Sequence, residues 1–149
     1  MISMERESAT AAHWTESQYR LAFESDGPTR LLLVADDSPS PSSGLEISAG
    51  GGTNMLGFLV ALHLAPEWEL ENIVVAPSAR RRGVGRQLMD ALLSAARETD
   101  SDSVFLEVRE SNVAARSLYE KAGFEQEGRR KSYYTNPMED AVLYRLSLA

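Results

Sequence analysis

The 149-residue chain has no cysteine and only two histidines, His13 and His63. The first absence excludes disulfides and thiolate catalysis; the second argues against a zinc site, which draws most of its ligands from those two residue types. Positive charge is also in deficit, with 15 Lys and Arg against 22 Asp and Glu, for a net charge of −7 at pH 7. That balance does not suit a nucleic acid, whose phosphates are held by broad basic faces. No uninterrupted apolar run approaches the ~20 residues that cross a bilayer. The opening MISMERESAT lacks the basic, apolar and small-residue progression of a secretory signal. A cytoplasmic protein without a membrane partner is the expectation.

What remains is an ordinary globular composition, 43% hydrophobic and 25% charged, which predicts one domain over residues 1–149. TESQYRLAF (15–23) reads as a short helix capped by Thr15. LLLVA (31–35), MLGFLVALHL (55–64) and LENIVV (70–75) are apolar, β-prone runs bounded by turn residues, hence consecutive strands of one sheet. Between the first two, DDSPSPSSGLEISAGGGT (36–53) is rich in Pro, Ser and Gly and predicts a long flexible loop.

After Val75 the pattern changes to alternating helix and strand. Pro77 stops the strand, and Val84, Leu88, Leu92 and Ala95 fall on one helical stripe, predicting a helix over 84–98. VFLEVR (104–109) is the next strand, 112–122 the next helix, with Gly123 at a left-handed cap, and AVLYRLSL (141–148) a last strand. The order is therefore antiparallel strands first, then crossover units.

ARRRGVGRQL (79–88) combines three consecutive arginines, a glycine turn and a helix start. A helix N-terminus already carries partial positive charge from its unpaired amides, so cations placed beside it are repelled by several tenths of a kcal/mol. An anion in the turn resolves the conflict. Backbone N–H groups converging there hold phosphate without an obligatory side chain, and Arg80, Arg81, Arg82 and Arg86 reach further phosphates. GxxxxGK[ST] is absent and Leu88 replaces the third glycine of GxGxxG, which argues against an ATPase.

The segment Arg80-Arg81-Arg82-Gly83-Val84-Gly85 resembles the RxxGxG signature of the GCN5-related N-acetyltransferase (GNAT) superfamily. ENIVVAPSARRRGVGRQLMDALL, FLEVRESNVAARSLYEKAGF and RRKSYYTNPMEDAVLYRL are similar to its ribosomal-protein-alanine N-acetyltransferase branch over about residues 55–148. AHWTESQY (12–19) resembles that branch more loosely. The resemblance implies an α/β fold with a mixed, mostly antiparallel central sheet, splayed at an acetyl-CoA cleft and flanked by helices on both faces. The superfamily's first strand would here be missing or reduced to MISMER, leaving a sheet edge open to pairing.

The implied reaction is direct acetyl transfer from acetyl-CoA to an amine, most simply a protein N-terminus, without metal. By the same resemblance Glu107 is the general base and Tyr119 the general acid. Ile73, Val74 and Val75 pair with the pantetheine arm, Gly83, Val84 and Gly85 form the phosphate turn with the arginines, and Asn112 touches the coenzyme. Tyr133 and Tyr134 flank the peptide entrance, and Glu71 is a reserve base.

Each residue also has a plainer reading. A lone carboxylate such as Glu107 in an apolar strand needs a partner such as Arg109 or a function, Tyr119 is a core aromatic, and Asn112 an N-cap. Glu67, Glu69 and Glu71 alternate along one strand and share a face, as an acidic edge or an attractor of a cationic substrate. Three other readings stay open: acetylation of a small amine, a noncatalytic acetyl-CoA-binding module, and a dinucleotide-binding Rossmann domain with Glu107 as the ribose ligand. Monomer and homodimer are both compatible with the sequence.

Overall fold

The computed structural model describes residues 29–36 and 55–148. The expected helix at 15–23, nearly all of the 36–53 loop and the MISMER segment lie outside the described residues.

The elements run β1 (Arg30–Asp36), β2 (Met55–Leu64), β3 (Glu67–Val75), a 3-10 turn (Pro77–Ala79), α1 (Val84–Glu98), β4 (Ser103–Arg109), α2 (Val113–Lys121), β5 (Glu125–Tyr134) and β6 (Glu139–Ser147). Among the described residues the six strands form one sheet in the order β1-β2-β3-β4-β6-β5. Every neighbouring pair is antiparallel except β3–β4. A Rossmann domain is excluded, because its sheet is parallel through consecutive crossovers.

Both described helices lie on one face. Val84, Leu88, Met89, Leu92, Leu93 and Ala96 of α1 and Tyr119 of α2 are buried in one cluster with Leu33, Leu59, Leu70, Leu106, Val142 and Tyr144. The buried stripe of α1 thus ends on Ala96; Ala95, expected to be its last member, is half-buried. The opposite face carries a smaller cluster of Phe58, Val60 and Val74. No described helix covers that side, so the expectation of helices on both faces is met on one. Trp68 ties α1 to the sheet by donating from Nε1 to Thr99 Oγ1 at 3.0 Å.

β5 was not expected from the sequence. EQEGRRKSYY is exposed or half-buried throughout, so it lacks the alternation that marks a half-buried strand. It is a strand because it pairs with β6 at the edge of the sheet.

Two irregularities shape the centre of the sheet. Val60 pairs with Asn72 and Ala61 with Leu70, which leaves Glu71 as an extra, bulged residue. The bulge inverts the side-chain pattern of β3: Trp68 and Leu70 face the helices, whereas Val74 joins the opposite cluster. Beyond the bulge β3 also parts from β4, since the parallel ladder covers only Glu67↔Ser103 to Leu70↔Leu106.

Candidate active site

Where β3 and β4 diverge, a cleft of about 1040 Å³ opens. Its walls are the 70–75 segment of β3, the turn and first residues of α1, the 107–109 end of β4 and the inner side of α2. Among the described residues no strand pairs with the β4-facing edge of 71–75. Ile73, Val74 and Val75 all line the cleft there, as expected for a strand whose backbone is left to a ligand.

At one end stands the glycine turn. Gly83 is the N-cap of α1 at φ 78° and offers no side chain to cap the helix, and the first turn holds no acidic residue. The ladder begins with Gln87 N donating to Gly83 O, so the amides of Val84, Gly85 and Arg86 precede it. Gly85 is a close-approach glycine: a Cβ there would lie 3.2 Å from Leu118 Cδ2 and 3.6 Å from Val75 Cγ2. The helix therefore begins on the cleft with its first amides uncapped, an arrangement that can hold an anion.

Arg80, Arg81 and Arg86 line the cleft with Gly83, Val84 and Gly85. Arg82 does not, and it is exposed. Arg86 is partly engaged by Asp90 at 3.1 Å on the next turn of the helix. Asn112 lines the cleft and caps α2 by accepting from Ala115 N at 3.2 Å.

Glu107 and Tyr119 meet in the same cleft from different elements. Glu107 is one-fifth exposed, and its partner is not Arg109. Arg130 of β5 donates from Nε to Glu107 Oε1 at 2.8 Å. Arg109 instead pairs with Glu139 at 3.4 Å and stacks 4.4 Å over the Tyr134 ring. Tyr119 is 5% exposed, packed between Phe124 and Tyr144 with ring centroids 6.0 and 6.2 Å away. Burial, reinforced by Tyr134, holds its phenol well above the usual tyrosine range. It is therefore neutral and able to donate a proton at any ordinary pH.

The two adjacent tyrosines separate. Tyr134 lines the cleft, and burial followed by the charge of Glu107 pushes its phenol up to about 12. Tyr133 is 52% exposed and outside the lining, set edge-on to Tyr134 at 5.1 Å. Glu71 lines the cleft but is clamped by Arg30 of β1, at 2.9 Å from Nε and 3.2 Å from Nη2. Glu69 of the same stripe is raised, first by burial and then by the charges of Glu71 and Glu107. Glu67 belongs to a separate network with Ser103 and Arg145. Sequence reasoning missed Arg130, Thr135 and Asn136, which come from β5 and the turn after it. The doubled tyrosine was the one local signal that this segment reaches the site.

Among the described residues no group of His, Asp or Glu could hold a metal ion, and no helix is long and apolar enough to cross a membrane.

The sequence profile of the acetyltransferase (GNAT) family matches residues 4–124. The chain is 36% identical over 97 residues to the [Ribosomal protein bS18]-alanine N-acetyltransferase of Escherichia coli K12, a stretch covering 64% of this chain. It spans 66% of that relative, just under two thirds. With the Salmonella typhimurium protein of the same name the identity is 34% over 143 residues, covering 95% of this chain and 85% of the other. The crystal structure of the E. coli ribosomal-protein-S18-alanine N-acetyltransferase superposes with a TM-score of 0.76 at 27% identity, covering 99% of this chain and 85% of that one. A Bacillus anthracis protein ascribed to streptothricin acetylation, solved with acetyl coenzyme A, gives a TM-score of 0.59 at 30% identity over 64% of this chain and 57% of its own.

Proposed function

Because the chain belongs to the acetyltransferase (GNAT) family, we propose that it transfers an acetyl group from acetyl-CoA to an amine. The proposed acceptor is the N-terminal α-amine of a protein such as ribosomal protein bS18. The observation that carries this reading is the cleft where β3 and β4 part, with Glu107 on one wall and Tyr119 on another. A ribosomal substrate also implies a cytoplasmic setting, and one acetyltransferase domain over residues 1–149 belongs to the same proposal.

The cleft fits the coenzyme on its own geometry. The amides of Val84, Gly85 and Arg86 lie at the end of a 15-residue helix, where an anion gains up to ~1 kcal/mol from the helix dipole. Arg80, Arg81 and Arg86 surround that point and add charge-assisted hydrogen bonds to phosphate oxygens. The unpaired edge of Ile73, Val74 and Val75 offers main-chain donors and acceptors to the amides of the pantetheine arm. Asn112 adds a polar side chain to the lining. The bound thioester supplies an activated acyl group.

The residues of the chain then divide the proton work. Glu107 takes a proton from the substrate ammonium, leaving a neutral amine with a lone pair. A C–N bond forms at the acyl carbon as the C–S bond breaks; the departing sulfur receives a proton from Tyr119, and the second proton shed by the new amide nitrogen restores the phenol. Each step by a positioned acid or base contributes about 10²- to 10⁴-fold. Tyr134, and Tyr133 at the rim, border the route by which a peptide reaches Glu107, while the Arg30 clamp makes Glu71 a structural carboxylate.

Mass spectrometry after incubation with acetyl-CoA, an N-terminal peptide of bS18 and a panel of small amines tests the reading. Acetylation of the peptide α-amine is expected. Acetylation of small amines alone would reassign the substrate, and no transfer to any amine would leave a coenzyme-binding module.

A further inference from the structure

In the free protein Glu107 already holds a cation. Arg130 Nε is 2.8 Å from Glu107 Oε1, and the same guanidinium stands 5.7 Å from the centre of the Tyr133 ring. The charge of Glu107 also acts on Tyr133, raising its phenol. The same charge acts on Glu69 of β3 and Tyr134 of β5, neither of them a cation. Arg109, two residues along β4, is committed to Glu139 and to the carbonyls of Thr135 and Pro137.

The Arg130 side chain is 57% exposed and does not line the cleft. It lies where the ladder between β5 and β6 shifts register, just before Ser132 at φ 52°. Its guanidinium can therefore leave Glu107 for water at little loss, since exposed ion pairs are among the weakest interactions in proteins.

We propose that Arg130 is a positioning residue that stands in for the substrate's ammonium, holding the Glu107 carboxylate beside Tyr133 until the incoming amine displaces it. This rests on the assignment of Glu107 as the base. The exchange delivers the ammonium to the oxygen that then removes its proton, and the released guanidinium remains within reach of the Tyr133 ring. Arg130 thus competes with every amine for one carboxylate, a competition that a capped, uncharged N-terminus does not enter.

Calorimetry on protein saturated with coenzyme A, which carries no acetyl group to transfer, isolates this step. The probes are an alanine-initial peptide with a free amine and the same peptide N-acetylated. Arg130→Gln and Arg130→Ala are expected to bind the free-amine peptide about 3- to 5-fold more tightly than the unsubstituted protein, the equivalent of one exposed ion pair. Arg130→Lys should stay near the starting affinity, and the acetylated peptide should gain nothing. Unchanged or weaker binding of the free amine in folded Arg130→Gln and Arg130→Ala overturns the proposal, as does an equal gain for the acetylated peptide. So does absence of peptide binding in all four proteins. Failure of acetyl transfer in the mass-spectrometric assay would sink the reaction instead, and the calorimetry reads independently of it.

Discussion

Replacing Tyr119 by Phe removes one oxygen and separates the acid's chemistry from its packing. The ring lies in the core, 5% exposed, against Phe124 and Tyr144. Phe keeps those ring contacts and leaves no cavity, so stability is expected to change by no more than about 1 kcal/mol. Turnover should respond far more strongly. Burial keeps the hydroxyl protonated, and an unperturbed phenol near 10 would already be about 99% protonated at pH 8. Essentially every molecule thus carries the phenolic proton, and the substitution removes the whole population. Loss of a general acid costs about 10²-fold or more, which is about 2.7 kcal/mol of barrier at 1.36 kcal/mol per decade.

Single-turnover kinetics at pH 8, urea unfolding and calorimetric titration of coenzyme A give the three numbers on one sample. A rate down by about 10²-fold is expected with unfolding midpoint and coenzyme affinity nearly unchanged. A rate within about threefold of the starting protein, in folded Tyr119→Phe, would refute the assignment. An equal loss of rate and of coenzyme affinity would instead make Tyr119 a wall of the binding site.

Three further outcomes follow from the geometry. Glu107→Gln should slow acetyl transfer by about 10²-fold or more with coenzyme affinity nearly intact; undiminished transfer removes Glu107 as base. Gly83→Ala should cost about 1 kcal/mol in urea unfolding, because nothing lies within 4 Å of the added Cβ and the penalty is the φ of 78° alone. Gly83→Asn should cost less, and equal losses would mean that the methyl meets an obstacle. At high pH, Tyr119 and Tyr134 are both raised by burial, the latter to about 12. Groups raised in the fold lend stability that is complete below the unfolded value near 10 and fades as pH climbs through the folded value. Thermal midpoints measured from pH 8 to 12 should therefore hold to about pH 10 and then fall, whereas a level profile to pH 12 would mean that the two phenols are open to water.

Local pattern was enough for most of the elements and for the turn. α1 covers 84–98 as its apolar spacing requires, because a helix buries one stripe whatever it packs against. β1, β2 and β4 are apolar runs bounded by polar turns, and their identity as strands lies in their own residues. The glycine turn was equally legible: Gly83 needs its φ, Gly85 needs the absence of a Cβ, and both demands are met within six residues of chain. Membership of an acetyltransferase family follows from that stretch and its neighbours.

Other features depend on partners distant in sequence. β5 has no buried face to leave a period in its sequence, so only its ladder with β6 makes it a strand. Arg130 finds Glu107 across 23 positions, while the nearer Arg109 turns to Glu139. The cleft itself exists because Glu71 bulges and β3 then leaves β4 after Leu70, a divergence of two strands that no single segment encodes. Residue types and their spacing set which groups this protein brings to the cleft; the sheet, through register and splay, decided which of them meet.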